Sequence, residues 1–278
     1  MTKDMFGQKL LDKIKKDVEK KVKELKETPT LAMVRVGVDP ASKIYMKKER
    51  KLCEDLGVEL KNFELENTVS KEEIIALIQK LNKNDSIDGI LLQLPLPGHI
   101  DPIPIVSKIK PEKDVDGLNP FNLGKLISKE PFVIPCTAKA VISILNENGI
   151  NVHGKNIVIV NDSILVGRPL LHLLSNNKAT VTLCKRNTEN LKQHTTRADI
   201  LIVGVGIKNF ITKDMVKKDS VIIDVGINKT ENGIKGDVDF ENVKDKARFI
   251  TPVPGGVGPV TVAMVLENLI KLTKNHSM

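Results

Sequence analysis

The sequence has no Trp, one Tyr and only 3% aromatic residues, so the stacking platforms that hold single-stranded nucleic acid are scarce. Its three cysteines, Cys53, Cys136 and Cys184, are odd in number and far apart. They form neither a disulfide framework nor a CxxC metal pair, which points to a reducing compartment and no metal. No apolar run approaches the roughly 20 residues that cross a bilayer. The leading Met-Thr-Lys-Asp-Met-Phe lacks the apolar core of a signal peptide. A cytoplasmic protein with no membrane partner is therefore expected. Internal repeats and low-complexity tracts are missing too.

What is present is ordinary for a soluble α/β protein. The 278 residues, 41% apolar and 28% charged, allow one or two domains with large cores. The net charge of +8 comes from lysines spread along the whole chain. Most of it is a solvated surface, and the remainder suits an anionic ligand. Nucleic acid is a rival partner on charge alone.

Apolar residues at Leu10, Leu11, Ile14, Val18, Val22 and Leu25 predict a helix within 5–27. Strands follow at 30–36, 59–65 and 87–94, separated by a helix that Ser42 caps and Gly57 ends, and by a second over 71–82 capped by Ser70. In the second half, strands at 156–160, 179–183, 200–203 and 221–225 alternate with helices over 135–145 and 170–174. Strands alternating with helices imply a parallel sheet covered on both faces. The spacing of the second half is that of a dinucleotide-binding domain, yet no GxGxxG follows its first strand. A flavodoxin-like domain without nucleotide remains open.

Four stretches carry candidate chemistry. Thr251–Thr261 packs three prolines and three glycines into eleven residues, so neither helix nor strand is expected through it. Its glycines allow close approach to a flat ligand and its prolines stiffen the shelf; the competing reading is a rigid connector. Gln93, at the carboxyl end of the third strand, is placed to point into a cleft. Asp114 and Asp116 flank the turn at Gly117, as turn caps or as ligand contacts. After the second strand of the second half, Lys185-Arg186 stands where an acidic residue selects a free ribose 2′-hydroxyl and Arg accommodates a 2′-phosphate. This favours NADP over NAD, with Asp162 as an opposing like charge and a solvent-exposed loop arginine as the plain alternative.

The segments Val36–Tyr45, Leu92–Pro97, Lys113–Gly117, Pro135–Thr137, Asp224–Asn228, Gly236–Val238 and Thr251–Thr261 together resemble the bifunctional methylenetetrahydrofolate dehydrogenase/cyclohydrolase family. The match runs in order over nearly the whole chain. It implies two domains flanking a cleft. Residues 1–135, completed by a last helix at 260–278, would form an α/β folate domain; residues 136–259 would form a Rossmann-type domain for NADP. It also implies tetrahydrofolate derivatives as partners and a homodimer made through the cofactor domains. The family oxidises 5,10-methylenetetrahydrofolate to the methenyl form and hydrolyses that to 10-formyltetrahydrofolate. By position, Tyr45 stacks on the folate, Gln93 orients the catalytic group and Asp116 hydrogen-bonds the pterin. Pro254, Gly255, Gly256, Gly258 and Pro259 line the folate, while Asn161, Asp162, Ser163, Arg186 and Ile227 fall at the cofactor.

Two departures stand out. The family pattern is Tyr-x-x-x-Lys, with the lysine central to the hydrolytic step; here Glu49 takes that place and Lys48 stands one residue early. Positions three and four along a helix share roughly one face with Tyr45, so Lys48 is the candidate substitute. Without a cation there, the protein would be a dehydrogenase alone; Glu49 also leaves open a rival from another class, a non-catalytic folate- or nucleotide-binding protein. Asn161-Asp162 also replaces the residues with which the family's cofactor loop begins, most often Gly.

Overall fold

The computed structural model describes residues 3–37, 50–231 and 233–276. The chain forms two compact units, one of residues 13–136 with 262–278 and the other of residues 137–261 with 1–12.

The chain opens with a short strand β1, Lys3–Asp4, and helix α1, Gln8–Lys23. Leu10, Leu11, Ile14 and Val18 are buried along one side of α1. The helix stops short of residue 27; Pro29 disfavours helix in the residue before it, and the chain turns into β2. The sheet of the first unit has the order β3-β2-β4, all parallel, from β2 (Thr30–Val36), β3 (Glu59–Leu65) and β4 (Gly89–Leu92). Helix α2 is described over 50–55 and ends at Gly57, whose φ of +71° only glycine adopts freely. Helix α3, Lys71–Asn82, begins with a full capping box, in which Ser70 Oγ accepts the Glu73 N–H and Glu73 accepts the Ser70 N–H. Ile74, Ile78 and Leu81 give it a buried stripe. Short helices α4, Pro102–Val106, and α5, Pro120–Ile127, complete the run.

Helix α6, Cys136–Glu147, leads into the second unit. Its sheet uses β5 (Asn156–Val160), β6 (Thr180–Cys184), β7 (Ile200–Val203), β8 (Val221–Asp224) and β11 (Phe249–Ile250). The order is β1-β11-β8-β7-β5-β6, parallel at every pairing. Helices α7 (Gly167–Asn176), α8 (Leu191–Thr195) and α9 (Phe240–Val243) join these strands. The hairpin of β9 (Asn228–Thr230) and β10 (Gly233–Lys235) stands apart from the sheet. β7 and β8 are buried at every residue, as central strands of a doubly covered sheet must be. The first twelve residues, expected with the folate domain, lie in this unit because β1 pairs with β11.

The last helix, α10, runs Val257–His276. Its start corrects the expectation that no helix passes through 251–261. Pro259 is its third residue, and first-turn N–H groups have no intrahelical acceptor to lose. From Val262 on, α10 belongs to the first unit, where Leu269 packs over Gly89 of β4. Asn268, 1% exposed, donates its Nδ2 to the carbonyls of Val115 and Ile134, each at 2.9 Å. Replacing Asn268 by Ala strips both buried carbonyls of this donor and should lower stability by about 1–3 kcal/mol, read from urea unfolding.

Candidate functional site

In the second unit the chain passes from β5 to β6 on one side and then to β7 on the other, so the strand order reverses beside β5. Ligands of open α/β sheets gather outside the carboxyl ends of strands at such a point. A cavity of about 380 Å³ lies there. Asn161, Asp162 and Ser163 line it after β5, Lys185, Arg186 and Asn187 after β6, and Gly204 and Val205 after β7. Four of the five residues expected at the cofactor thus share one cavity. The fifth, Ile227, follows β8, is 61% exposed and is not among the lining residues.

The loop after β5 shows how Asn161 serves in place of glycine. Its Oδ1 accepts the N–H groups of Ser163 at 2.8 Å and Gly167 at 3.0 Å, and the Ser163 hydroxyl at 2.8 Å. Its Nδ2 donates to the Gly204 carbonyl, tying the loop to the end of β7. A Cβ on Gly167 would lie 1.7 Å from the Asn161 carbonyl oxygen. Only glycine lets α7 start so close to β5, the role of the third glycine in a dinucleotide fingerprint. Asp162 is paired with Lys185, Nζ to Oδ2 at 3.1 Å, so its charge is balanced by the cavity's own lysine. Arg186 is exposed beside it.

In the first unit Gln93 follows β4 directly, is exposed, and donates its backbone N–H to the Val34 carbonyl at 2.9 Å. Asp114 bridges to Ile90 in parallel, so residues 114–116 run beside β4 toward its carboxyl end. That brings Asp116 to the same end of the sheet as Gln93. Asp114 itself is structural. Only 2% exposed, it accepts the Asn119 N–H at 2.8 Å and Asn122 Nδ2 at 2.9 Å. Lys113, also buried, donates to the Asn84 carbonyl at 2.8 Å beyond the end of α3. Asp116 is half-buried, with the Cys136 N–H 3.4 Å from its Oδ1. Burial, and then the negative charge of Asp114, push its carboxyl up to about 7. Tyr45, Lys48 and Glu49, which follow β2 in the chain, lie outside the described residues.

The proline- and glycine-rich stretch links β11 to α10. Pro254 is joined cis to Val253, and Gly255 has a φ of +110°. A Cβ on Gly256 would lie 2.6 Å from the Pro252 carbonyl oxygen. Gly258 and Pro259 sit in the first turn of α10, and nothing crowds a Cβ at Gly258.

Asn187, Gly204 and Val205 are not among the residues expected from sequence; the Gly204-Val-Gly206 run after a strand is the available signal for the last two, and Asn187 adjoins Lys185-Arg186. Asp224 and Asp237 fall within the family-like segments but carry no role that the sequence alone assigns. Both are buried, and burial above all pushes the Asp224 carboxyl up to about 7. Among the described residues, no group of His, Cys, Asp and Glu is arranged to hold a metal ion, and no helix is long and apolar enough to cross a membrane.

A parallel sheet with a cationic, loop-lined cavity at its reversal point, in a chain that also forms a second parallel α/β unit, defines a two-domain dinucleotide-dependent enzyme. Comparison makes the class specific. Residues 5–116 match the family described as Tetrahydrofolate dehydrogenase/cyclohydrolase, catalytic domain, and residues 135–277 match its NAD(P)-binding domain. The chain belongs to the tetrahydrofolate dehydrogenase/cyclohydrolase family. It is 50% identical to the Bifunctional protein FolD of Nitratiruptor sp. over 97% of each chain. The bifunctional methylenetetrahydrofolate dehydrogenase/cyclohydrolase of Campylobacter jejuni superposes with a TM-score of 0.94 at 42% identity, covering 99% of this chain and 100% of that one. The Trypanosoma brucei enzyme, solved with NADP cofactor and an inhibitor, gives 0.93 at 33% identity, covering 99% and 98%.

The raised Asp116 carboxyl has a consequence for stability. The unfolded chain releases this proton near 3.8, whereas the folded protein keeps it to about 7. Between those values the folded state binds more protons, so stability falls as pH rises through the window. Asp116→Asn, which cannot titrate, should flatten the fall in urea midpoint between pH 5 and pH 7.

Proposed function

We propose that the protein oxidises 5,10-methylenetetrahydrofolate to 5,10-methenyltetrahydrofolate with NADP and then hydrolyses the product to 10-formyltetrahydrofolate. Family membership supports an enzyme of folate one-carbon metabolism. The observation that carries the cofactor assignment is the Lys185-Arg186 pair on a cavity at the reversal point of a dinucleotide-type sheet. The cavity residues suit such a group: a backbone loop held close by Asn161 and Gly167, and cations at the end of β6 where a 2′-phosphate is read. A nicotinamide held there would supply the acceptor for the hydride leaving the folate's one-carbon bridge.

The chain's own residues do the rest. At the carboxyl end of the three-stranded sheet, Gln93 orients the catalytic group and Asp116 hydrogen-bonds the pterin, and Tyr45 stacks on the folate. A carboxyl that titrates at about 7 offers the pterin either a donated proton or an acceptor near neutral pH. The stiff stretch Pro254–Pro259 supplies a wall that keeps water from the hydride step. Hydrolysis then needs a polar group to manage the proton of the attacking water. Lys48 is assigned that role, with Glu49 as its acidic neighbour. A cytoplasmic homodimer joined through the cofactor-binding units completes the reading; light scattering at twice the chain mass of 30.7 kDa would bear on it.

Two measurements test these assignments. Replacing Arg186 by Ala should raise the KM for NADP about tenfold and leave that for NAD nearly unchanged; equal effects on both would remove Arg186 from 2′-phosphate recognition. For hydrolysis, methenyltetrahydrofolate is followed by absorbance with wild type, Lys48→Ala and Glu49→Lys. Lys48→Ala should abolish turnover. Full activity in that variant removes Lys48 from the mechanism, and a large gain in Glu49→Lys marks the natural protein as mainly a dehydrogenase.

A further inference from the structure

We infer that Asp237 is a positioning residue for the cofactor: its buried carboxylate fixes the loop after β7 that walls the cavity, and so sets cofactor affinity rather than the rate of hydride transfer. The inference rests on the dinucleotide-binding reading of that cavity.

Asp237 is fully buried. Its Oδ2 accepts the N–H groups of Val205 and Gly206, the latter at 2.9 Å. Its Oδ1 accepts the Ile207 N–H at 3.1 Å and the Asn228 Nδ2 at 2.8 Å. One side chain therefore captures three consecutive amides of the segment that starts with the cavity residues Gly204 and Val205. With those N–H groups turned toward Asp237, the face that the loop shows to the cavity is fixed.

Among the described residues four donors meet this side chain, and a carboxylate is the natural group that accepts from all of them without donating. An amide of the same shape turns an NH2 toward one pair of donors. A second carboxylate holds Asp237 in place. Asp224 accepts the Asp237 N–H at 3.1 Å, the Gly226 N–H at 2.9 Å and the Val238 N–H at 2.9 Å. Its own N–H donates to the Thr251 hydroxyl at 2.7 Å. The surroundings leave no slack, since a Cβ on Gly226 would lie 2.2 Å from the Asp237 carboxyl carbon and one on Gly236 would lie 1.9 Å from Asp224 Oδ2.

The test is Asp237→Asn in the full-length protein. NADPH titrated against it, followed by nucleotide fluorescence, should bind about tenfold more weakly than to wild type. The KM for NADP should rise in step, while kcat at saturating cofactor stays within about threefold and the KM for methylenetetrahydrofolate is unchanged. A lower melting temperature with unchanged NADPH affinity would make Asp237 merely structural and overturn the inference. So would a collapse of kcat at unchanged KM for NADP. If Asp237→Asn does not fold, Asn228→Ala removes one of the four donors and should weaken NADPH binding about two- to fivefold; no change there also overturns it. Wild-type protein that binds neither NADPH nor NADH would instead refute the dinucleotide reading, and this inference with it.

Discussion

Buried backbone amides must find acceptors, and in the second unit two buried carboxylates meet that demand where the strands end. Asp224 at the end of β8 and Asp237 beyond the hairpin gather N–H groups from the loops after β7 and β8 and from the return to the sheet. A buried carboxylate surrounded by N–H donors keeps its solvation inside the protein. The cavity wall depends on that exchange, because loops free of regular structure have no ladder of their own to hold them.

The first unit solves the same problem with different residues. Asp114 accepts from the Asn119 N–H and Asn122 Nδ2, while the Asn119 side chain donates to the Ile109 carbonyl and accepts the Phe121 N–H. Lys113 turns inward to carbonyls at the end of α3 instead of outward to solvent. Burial above all, and then the charge of Lys110, lower its readiness to carry charge, against the opposing pull of Asp85, Asp88 and Glu112. Within one run of four residues, Lys113 and Asp114 build the turn while Asp116 keeps part of its surface open to solvent. Structure and chemistry are interleaved residue by residue along that run.

The cofactor loop makes a related point about motifs. A dinucleotide fingerprint is written in glycines because backbones must come close, and Gly167 meets that need under a carbonyl oxygen 1.7 Å from where its Cβ would be. The tight turn before it is made by the Asn161 side chain instead. An amide that accepts three hydrogen bonds and donates one fixes the loop by bonding where glycine would permit it by flexibility. Asp162, read from sequence as a charge opposed to phosphate, is balanced by Lys185.

Much was legible because it depends on local pattern. Buried strands such as Thr30–Val36 and Ile200–Val203 read directly as apolar β-branched runs, and Ser70 with Glu73 marked the start of α3. The proline- and glycine-rich stretch, Gln93 and Lys185-Arg186 were picked out because special residue types at the carboxyl ends of strands have few other uses. Helix starts are less legible: α10 begins inside the proline- and glycine-rich stretch, since the first turn tolerates such residues. What only the tertiary structure decided was partnership across long sequence separations. The pairing of β1 with β11, the captured amides around Asp237, and the split between Asp114 and Asp116 join residues whose local sequence is neutral about them. Local propensity fixes which element forms; which buried donor meets which acceptor is settled only when the strands are stacked in order.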